Sequence, residues 1–325
     1  MATAEQTYLR SELEQRRDRL QAAVQSEHHD SSLNRLLTEV DAALARMGQG
    51  NFGICESCKG AIAPERLLSD PLTHVCLDCL TRDEQRALEH DLTLAGSIQR
   101  ALLPRADLVS AGWQIRYHYG PGGVGTGGYC DLIETPGGLL FRLGDVSGKG
   151  VAASMLMSHL HATFRSLAAA DLPLERMVEA ANRIFCESTL AGHYATLIVG
   201  RASQDGDIEF VSAGHLPLLH LRANGATPLE ATGVPLGMFC EARFPAHRVS
   251  LRPGESLFLY TDGLTEYENP KGEEYGLARI TGLAASHAAA TPERLFAECL
   301  ADLRNHAAGA KRADDLALLV LRRTA

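Results

Sequence analysis

Two pairs of cysteines constrain this chain more than any other feature. Cys55-Glu-Ser-Cys58 and Cys76-Leu-Asp-Cys79 lie in a segment, residues 51–80, that is rich in Cys, Pro and Gly. Two CxxC knuckles at this separation can set four thiolates tetrahedrally around one Zn²⁺, at about 2.3 Å each. So short a segment cannot bury enough apolar surface to fold unaided, and the metal would supply the folding energy. A redox switch needs only one such pair. A closed Cys₄ set is structural rather than catalytic. The expectation is one structural zinc on Cys55, Cys58, Cys76 and Cys79.

The other four of the eight cysteines, Cys130, Cys186, Cys240 and Cys299, are scattered singly. They read as buried small hydrophobes, with Cys130 the one candidate for redox chemistry. A secreted disulfide scaffold would be shorter and denser in Cys. No basic region followed by an apolar run opens the sequence, so a cytoplasmic location without a signal peptide is expected. The longest stretch without Asp, Glu, Lys or Arg runs only from Gly150 to Phe164 and holds two histidines. A membrane span needs roughly 18–20 apolar residues, so none is expected. The net charge of −9 argues against a surface built for nucleic acid or anionic lipid.

With 325 residues, 45% of them hydrophobic and 22% charged, the chain has the length of two ordinary domains and the balance of a globular protein. Leu9, Leu13, Leu20 and Val24 mark a first helix, and Leu33, Leu37, Val40, Leu44 and Met47 a second with heptad-like spacing. Residues 27–32 break the pattern, with Asp30 and Ser31 suited to cap the second helix, and Gly48 and Gly50 end it. The expectation is a helical hairpin over 1–50, the metal module over 51–80 and a connecting helix within 81–104. That helix carries an apolar stripe of Leu88, Leu92, Ala95, Ile98 and Leu102, suited to dimerisation.

Residues 105–325 form one mixed domain. Strands are predicted at Trp113–Tyr119, Leu139–Val146, Ala195–Arg201, Ile208–Ser212, Ser256–Thr261 and Leu316–Leu321. Helices are predicted at Val151–Ala170, Glu175–Glu187, Ala278–His287 and Pro292–His306. Helices in consecutive pairs and short turns such as Gln204-Asp-Gly-Asp207 favour an α+β fold with antiparallel sheets. Four segments of this domain place aspartates at strand ends, two of them directly beside glycine: Gly127-Gly-Tyr-Cys-Asp131, Gly144-Asp-Val-Ser-Gly-Lys-Gly150, Tyr260-Thr-Asp-Gly-Leu264 and Ala313-Asp-Asp-Leu316. One Asp-Gly alone is a turn. Together, carboxylates from distant segments make an oxygen-rich site for Mg²⁺ or Mn²⁺, and two such ions can drive in-line displacement at phosphorus.

The wording of these blocks resembles the SpoIIE/RsbU branch of the metal-dependent type 2C (PPM) serine/threonine phosphatases. Ile98-Gln-Arg-Ala-Leu-Leu-Pro104, Gly144–Ala153, Ser212-Ala-Gly-His-Leu-Pro217, Leu259-Tyr-Thr-Asp-Gly-Leu-Thr-Glu266 and Asp314-Asp-Leu-Ala-Leu-Leu319 carry it in order, across residues 92–323. The resemblance implies a two-sheet β-sandwich flanked by helix pairs. It implies that Asp145 bridges two Mn²⁺ or Mg²⁺ ions, with the Val146 carbonyl, Asp262 and Asp314 as further ligands. Catalytic roles then fall to Asp145, Asp262 and Asp314, with water as the nucleophile and no phosphoenzyme. Asp315 looks like a neighbour rather than a ligand, and His215 is either an acid or a packing residue. Residues 51–67 with Cys76–Cys79 resemble the DksA/TraR zinc finger. That family's paired-aspartate hairpin tip is not recognisable, since only Glu27 and Asp30 are acidic there. The metal site is therefore carried over and the polymerase activity is not, which leaves RNA polymerase as a secondary candidate partner.

One departure stands out. The family pattern is Gly-Gly-Asp-(aromatic)-X-Asp, yet Gly128 replaces its first Asp. One metal position is then weakened, with Asp131 a candidate to compensate. The expected function is dephosphorylation of phosphoserine or phosphothreonine on a regulatory protein, by resemblance a STAS-type anti-sigma-factor antagonist in partner switching. The rival is a non-catalytic pseudophosphatase that acts by interaction.

Overall fold

The segment Leu-Leu-Phe-Arg-Leu-Gly-Asp-Val is apolar on both of its alternating faces, which requires cover on both sides. In the computed structural model it is strand β4 (Gly138–Val146), and it has that cover. The structure describes residues 3–26, 31–122, 127–148, 150–170, 172–189, 192–230, 233–310, 312 and 314–324. These form two compact units, Met1–His90 and Asp91–Ala325.

In the larger unit, Leu139, Phe141 and Leu143 of β4 join a core shared with Trp113, Ile115, Leu257, Leu259, Leu319 and Leu321. Leu140 points the other way, into a second core with Met157, Leu160, Phe164, Met177 and Phe185. A third core packs Phe258, Leu318 and Val320 against Ile280, Leu295 and Phe296. The result is four layers, helix pair, sheet, sheet and helix pair. Each fully buried Leu, Ile or Phe contributes about 1.5–3 kcal/mol against its exposed state.

The first sheet contains β1 (Asp107–Ser110), β2 (Trp113–Gly120), β7 (Leu218–Arg222), β8 (Gly225–Leu229), β10 (Ser256–Tyr260) and β11 (Leu316–Arg323). Their order is β1-β2-β11-β10-β7-β8. The second contains β3 (Tyr129–Thr135), β4, β5 (Ala195–Ser203), β6 (Asp207–Ala213) and β9 (His247–Ser250), in the order β3-β4-β5-β6-β9. Neighbouring strands are antiparallel throughout. The helices are α5 (Gly150–Ala168), α6 (Leu174–Ser188), a short α7 (Asp262–Thr265), α8 (Leu277–Ser286) and α9 (Pro292–Ala307). The predicted turn at 204–207 joins β5 to β6, where Gly206 adopts φ +94° and the Ser203 hydroxyl accepts from the N–H groups of Asp205 and Asp207.

The smaller unit holds α1 (Thr3–Ser26), α2 (Ser31–Gly48) and the finger, with a short α3 (Pro64–Ser69). Leu9 and Leu13 of α1, Val40 and Ala43 of α2, and Phe52, Cys55, Ile62 and Leu67 share one core. The helix stop read at Gly48 and Gly50 is present, with Gly50 at φ +73°. The tip residues Glu27 and Asp30, and the caps read at Asp30 and Ser31, lie outside the described backbone or side chains. Helix α4 (Arg82–Leu102) starts with a reciprocal capping box. Thr81 Oγ1 accepts from Glu84 N–H, and the Glu84 carboxylate accepts from Thr81 N–H at 2.8 Å.

The reading of four buried, unpaired scattered cysteines needs correction. Cys130 and Cys299 are buried free thiols, but Cys186 and Cys240 form a disulfide. Their Cα atoms lie 5.8 Å apart, a spacing that a bridge requires. The fold brings them together because Asn182, one turn earlier on α6, anchors the loop that carries Cys240. Its amide donates to the carbonyls of Phe239 and Cys240, and its Oδ1 accepts from Gly237 N–H.

Candidate active site and metal centre

Three strand ends build the rim. Asp145 and Val146 end β4, Asp262 opens α7 directly after β10 and Thr261, and Asp314 and Asp315 lead into β11. Strands β10 and β11 run antiparallel, with Tyr260 opposite Leu318, so the C-terminal end of one meets the N-terminal end of the other. Thr261 locks this junction: its hydroxyl donates to the Asp315 carbonyl at 2.9 Å and accepts from Ala317 N–H at 3.0 Å.

The aspartates on this rim feel one another. Burial pushes the Asp145 carboxyl up to about 8, helped by the charges of Asp262, Asp315 and Asp314. Asp262 is raised too, first by burial and then by Asp314. Asp262 Oδ1 accepts from Gly263 N–H, and Asp314 Oδ1 from Asp315 N–H. A nearby cation would favour the ionised form of such carboxylates, and an all-oxygen donor set suits Mg²⁺ or Mn²⁺. Val146 N–H donates to the Gly127 carbonyl at 3.2 Å, and a Cβ on Gly127 would collide with the Val146 carbonyl. That glycine lets the loop lie against the rim, so the residues present fit a divalent-cation site.

Asp131 lies elsewhere. It sits on β3 opposite Arg142 of β4, fully buried. Its carboxylate pairs with Arg142 and accepts from Arg165 Nη2 at 2.6 Å and Nε at 3.1 Å. Arg142 also lies over the Phe164 ring at 5.3 Å. Asp131 thus ties α5 to the sheet, and both of its oxygens are committed to guanidinium groups.

His215 is buried between the sheets. Its Nε2–H donates to the Tyr260 carbonyl on β10 and its Nδ1 accepts from the Thr196 hydroxyl on β5, both at 3.1 Å. Burial pushes it down to about 4 from an ordinary 6.5. With both ring nitrogens engaged, its role is to bridge the sheets. A folded-state value below the unfolded one means that the unfolded chain takes up the proton first. Stability is therefore lost as pH falls from 6.5 towards 4, by up to about 3 kcal/mol. Urea melts of wild type and His215→Gln over this range should show the shallower pH slope in the variant; equal slopes would contradict the assignment.

In the smaller unit, the Sγ atoms of Cys55, Cys58, Cys76 and Cys79 all lie within 4.8 Å of one another. Among the described residues no carboxylate set is drawn together so closely. The Cys55 sulfur accepts from Cys76 N–H at 3.3 Å and the Cys58 sulfur from Gly60 N–H at 3.4 Å. Backbone N–H groups of Cys58 and Cys76 bring the Cys55 thiol down to about 6, while its bond with Cys76 pushes Cys79 up to about 12. Four clustered sulfurs, those of Cys55 and Cys58 with N–H···S support, fit a tetrahedral zinc.

Comparison with known proteins agrees with both halves. The family model for Stage II sporulation protein E (SpoIIE) matches residues 135–324, and that for the prokaryotic DksA/TraR C4-type zinc finger matches residues 50–85. Protein IcfG of Synechocystis is 25% identical over 72% of the chain and 41% of its own length. Phosphoserine phosphatase RsbU of Bacillus subtilis is 23% identical over 59% of the chain and 58% of its own length. The chain thus spans about half the length of these curated relatives. Among solved structures, the SiaA PP2C domain of Pseudomonas aeruginosa superposes with a TM-score of 0.66 at 19% identity, covering 74% of this chain and 98% of that one. The RsbU and RsbW domains of Rv1364c from Mycobacterium tuberculosis give 0.58 at 30% identity, covering 68% and 64%.

Proposed function

The chain belongs to the SpoIIE family of PPM-type phosphatases, and from that premise we propose that it is a metal-dependent phosphoprotein phosphatase. The observation that carries this reading is the convergence of Asp145, Asp262 and Asp314 on one rim, where Asp262 and Asp314 add to the cost of ionising Asp145, and Asp314 to that of Asp262. Asp145, the Val146 carbonyl, Asp262 and Asp314 would hold two Mn²⁺ or Mg²⁺ ions, one position being weakened by Gly128. Bound there, the ions would supply Lewis acidity toward a phosphoryl group and lower the pKa of water in the site. The chain's own part is positional. Thr261 fixes the β10–β11 junction and Gly127 allows the loop to approach, so the carboxylates are set before a phosphate arrives.

The substrate proposed is phosphoserine or phosphothreonine on a regulatory protein, by family resemblance a STAS-type anti-sigma-factor antagonist in the cytoplasm. The phosphoserine phosphatases RsbU and RsbP of Bacillus subtilis, at 23% and 29% identity, support the substrate class. Among the described residues no helix is long and apolar enough to cross a membrane. The division proposed is hairpin 1–50, finger 51–80, connecting helix 81–104 and phosphatase domain 105–325. Leu94 and Ile98 on α4 are 51% and 56% exposed, which supports dimerisation along that helix. One zinc on the four cysteines completes the metal content.

The test is phosphate release by the zinc-loaded chain from a phosphoserine protein and from an aryl phosphate, with Mn²⁺ titrated. Saturable, Mn²⁺-dependent release that chelation abolishes is expected; none at any Mn²⁺ concentration would refute the reading. Gly128 favours the second reading, a non-catalytic interaction protein. Metal content separates the two, because Mn²⁺ binding in addition to zinc fits the enzyme and zinc alone fits the rival.

A further inference from the structure

The disulfide joins two elements that supply no residue to the rim. Cys186 lies half-buried in the last turn of α6, and Cys240 lies exposed at the end of segment 233–240. That segment is wedged between α6 and the start of β5. Asn182 of α6 holds it by three hydrogen bonds, to the carbonyls of Phe239 and Cys240 and from Gly237 N–H. A Cβ on Gly237, at φ +87°, would lie 2.8 Å both from the His193 carbonyl and from the Phe185 ring. Leu236 and Ala195 exchange both of their backbone hydrogen bonds, at 2.8 and 2.9 Å.

The rim begins where this contact ends. Ala195 opens β5 and stands opposite Val146. The residues beside that pair are locked reciprocally. Ser147 N–H donates to the Tyr194 carbonyl at 2.8 Å, and Tyr194 N–H donates to the Ser147 hydroxyl at 2.9 Å. Ser147 directly follows the Val146 carbonyl, one of the donors proposed for the metal. Backbone contacts therefore run from the bridge through Leu236 and Ala195 to the end of β4. Strand ends are the parts of a sheet that open most readily, so what braces them sets their order.

We propose that Cys186–Cys240 is a reversible thiol–disulfide exchange site whose bridged form fixes the end of β4 for cation binding and whose reduced form loosens it. The inference rests on the metal site and location proposed above, but its effect on the backbone holds without metal. The exposed Cys240 sulfur is the open end of the bridge. A thiolate of the glutathione class attacks it, the S–S bond breaks, and Cys186 leaves as a thiolate that takes up a proton. A second thiolate attacks the outer sulfur of the mixed disulfide and releases Cys240. Two small thiols have become one disulfide, and the bridge has become two thiols; oxidised glutathione runs the same steps backward. The bonds of Asn182 and Leu236 survive reduction and keep the two sulfurs near each other, so the bridge re-forms. Cys130 and Cys299 are buried, which confines exchange in the larger unit to this pair. Disulfides of cytosolic proteins are characteristically of this transient, sensing kind.

The experiment equilibrates the full zinc-loaded chain in glutathione buffers of stepped reduced-to-oxidised ratio, with zinc content checked throughout. The bridged fraction is read by mass spectrometry after alkylation of free thiols. Amide hydrogen exchange over residues 146–147, 192–196 and 236–240 is followed without Mn²⁺, and Mn²⁺ binding is titrated calorimetrically. The bridge should titrate to the same curve from either direction. Reduction should speed exchange of these segments about tenfold and weaken Mn²⁺ about fivefold or more. Linkage then requires that saturating Mn²⁺ lower the equilibrium constant for reduction by the same factor. The double variant Cys186→Ser/Cys240→Ser should match reduced wild type at every glutathione ratio. The proposal is overturned if bridged and reduced protein exchange alike, if they bind Mn²⁺ alike, or if oxidised glutathione does not restore the bridge. Should wild type bind no Mn²⁺ in either state, the phosphatase reading fails, while hydrogen exchange still decides whether the bridge fixes the strand end.

Discussion

Asp145→Asn should lower Mn²⁺-dependent phosphate release by at least about three orders of magnitude, or about 4 kcal/mol of barrier, without loss of fold. The side chain sits at the end of β4, whose neighbours in the sheet hold it regardless of charge. Its carboxylate lies among Asp262, Asp315 and Asp314, each of which disfavours its ionisation. Asp145 would serve both proposed ions, and a neutral amide there would take negative charge away from the site. The same argument predicts the opposite sign for stability. Taking one carboxyl out of a crowded, partly buried group relieves repulsion, so the metal-free variant should melt at or above wild type. Phosphate release and a metal-free thermal melt check both halves. A variant that is inactive because it is unfolded would contradict the account.

Removing zinc, or replacing Cys55 by Ser, should unfold the smaller unit and leave the larger one standing. Its shared core contains only a few fully buried large side chains, Leu9, Leu13, Val40 and Leu67 among them. That is too little to outweigh the ordering cost of the finger loops. A structural zinc contributes on the order of 10–16 kcal/mol in small domains, more than the whole stability of most domains. Cys55 is buried within that core, so its loss removes a metal ligand and a packing group together. The three cores of the larger unit contain none of these residues. Calorimetry with and without a strong chelator should therefore show one transition disappear and another persist. A chelated protein that still melts as the zinc-loaded one would exclude a structural zinc.

What could be read beforehand follows from how each feature is encoded. Strands β4 and β11 are runs of Leu, Val and Phe with cover on both faces, and such runs announce themselves. Strands β1, β8 and β9 lie at sheet edges, are only four or five residues long, and in β8 contain Pro228. Edge strands need little apolar content, so periodicity passes over them. The turn between β7 and β8 is Ala223-Asn224, since Arg222 faces Gly225, so the Asn224-Gly225 pair lies one residue off the turn centre and is a misleading local signal. The rim aspartates were legible because each sits at a strand end, Asp145 and Asp262 directly beside a glycine. Asp131 resembles them in sequence, yet its partners Arg142 and Arg165 come from β4 and α5, and only the fold brings them to it. The pairing of Cys186 with Cys240 spans 54 residues and has the same character. The bonds from Gly122 and Gly128 N–H to the Asp315 carboxylate are likewise set by the fold alone.

Strand β11 lies inside its sheet, between β2 and β10, although it is the last of the described strands in chain order. A ribosome delivers those strands in sequence. Until β11 emerges, β2 and β10 each expose an unpaired edge in the nascent chain, and the seam between them can recruit another chain. The residues that precede β11, Asp314 and Asp315, complete the rim in the same event. Translation that stalls before this strand therefore leaves a polypeptide with an open sheet and half a set of carboxylates, a species for quality control to remove rather than a partly working enzyme.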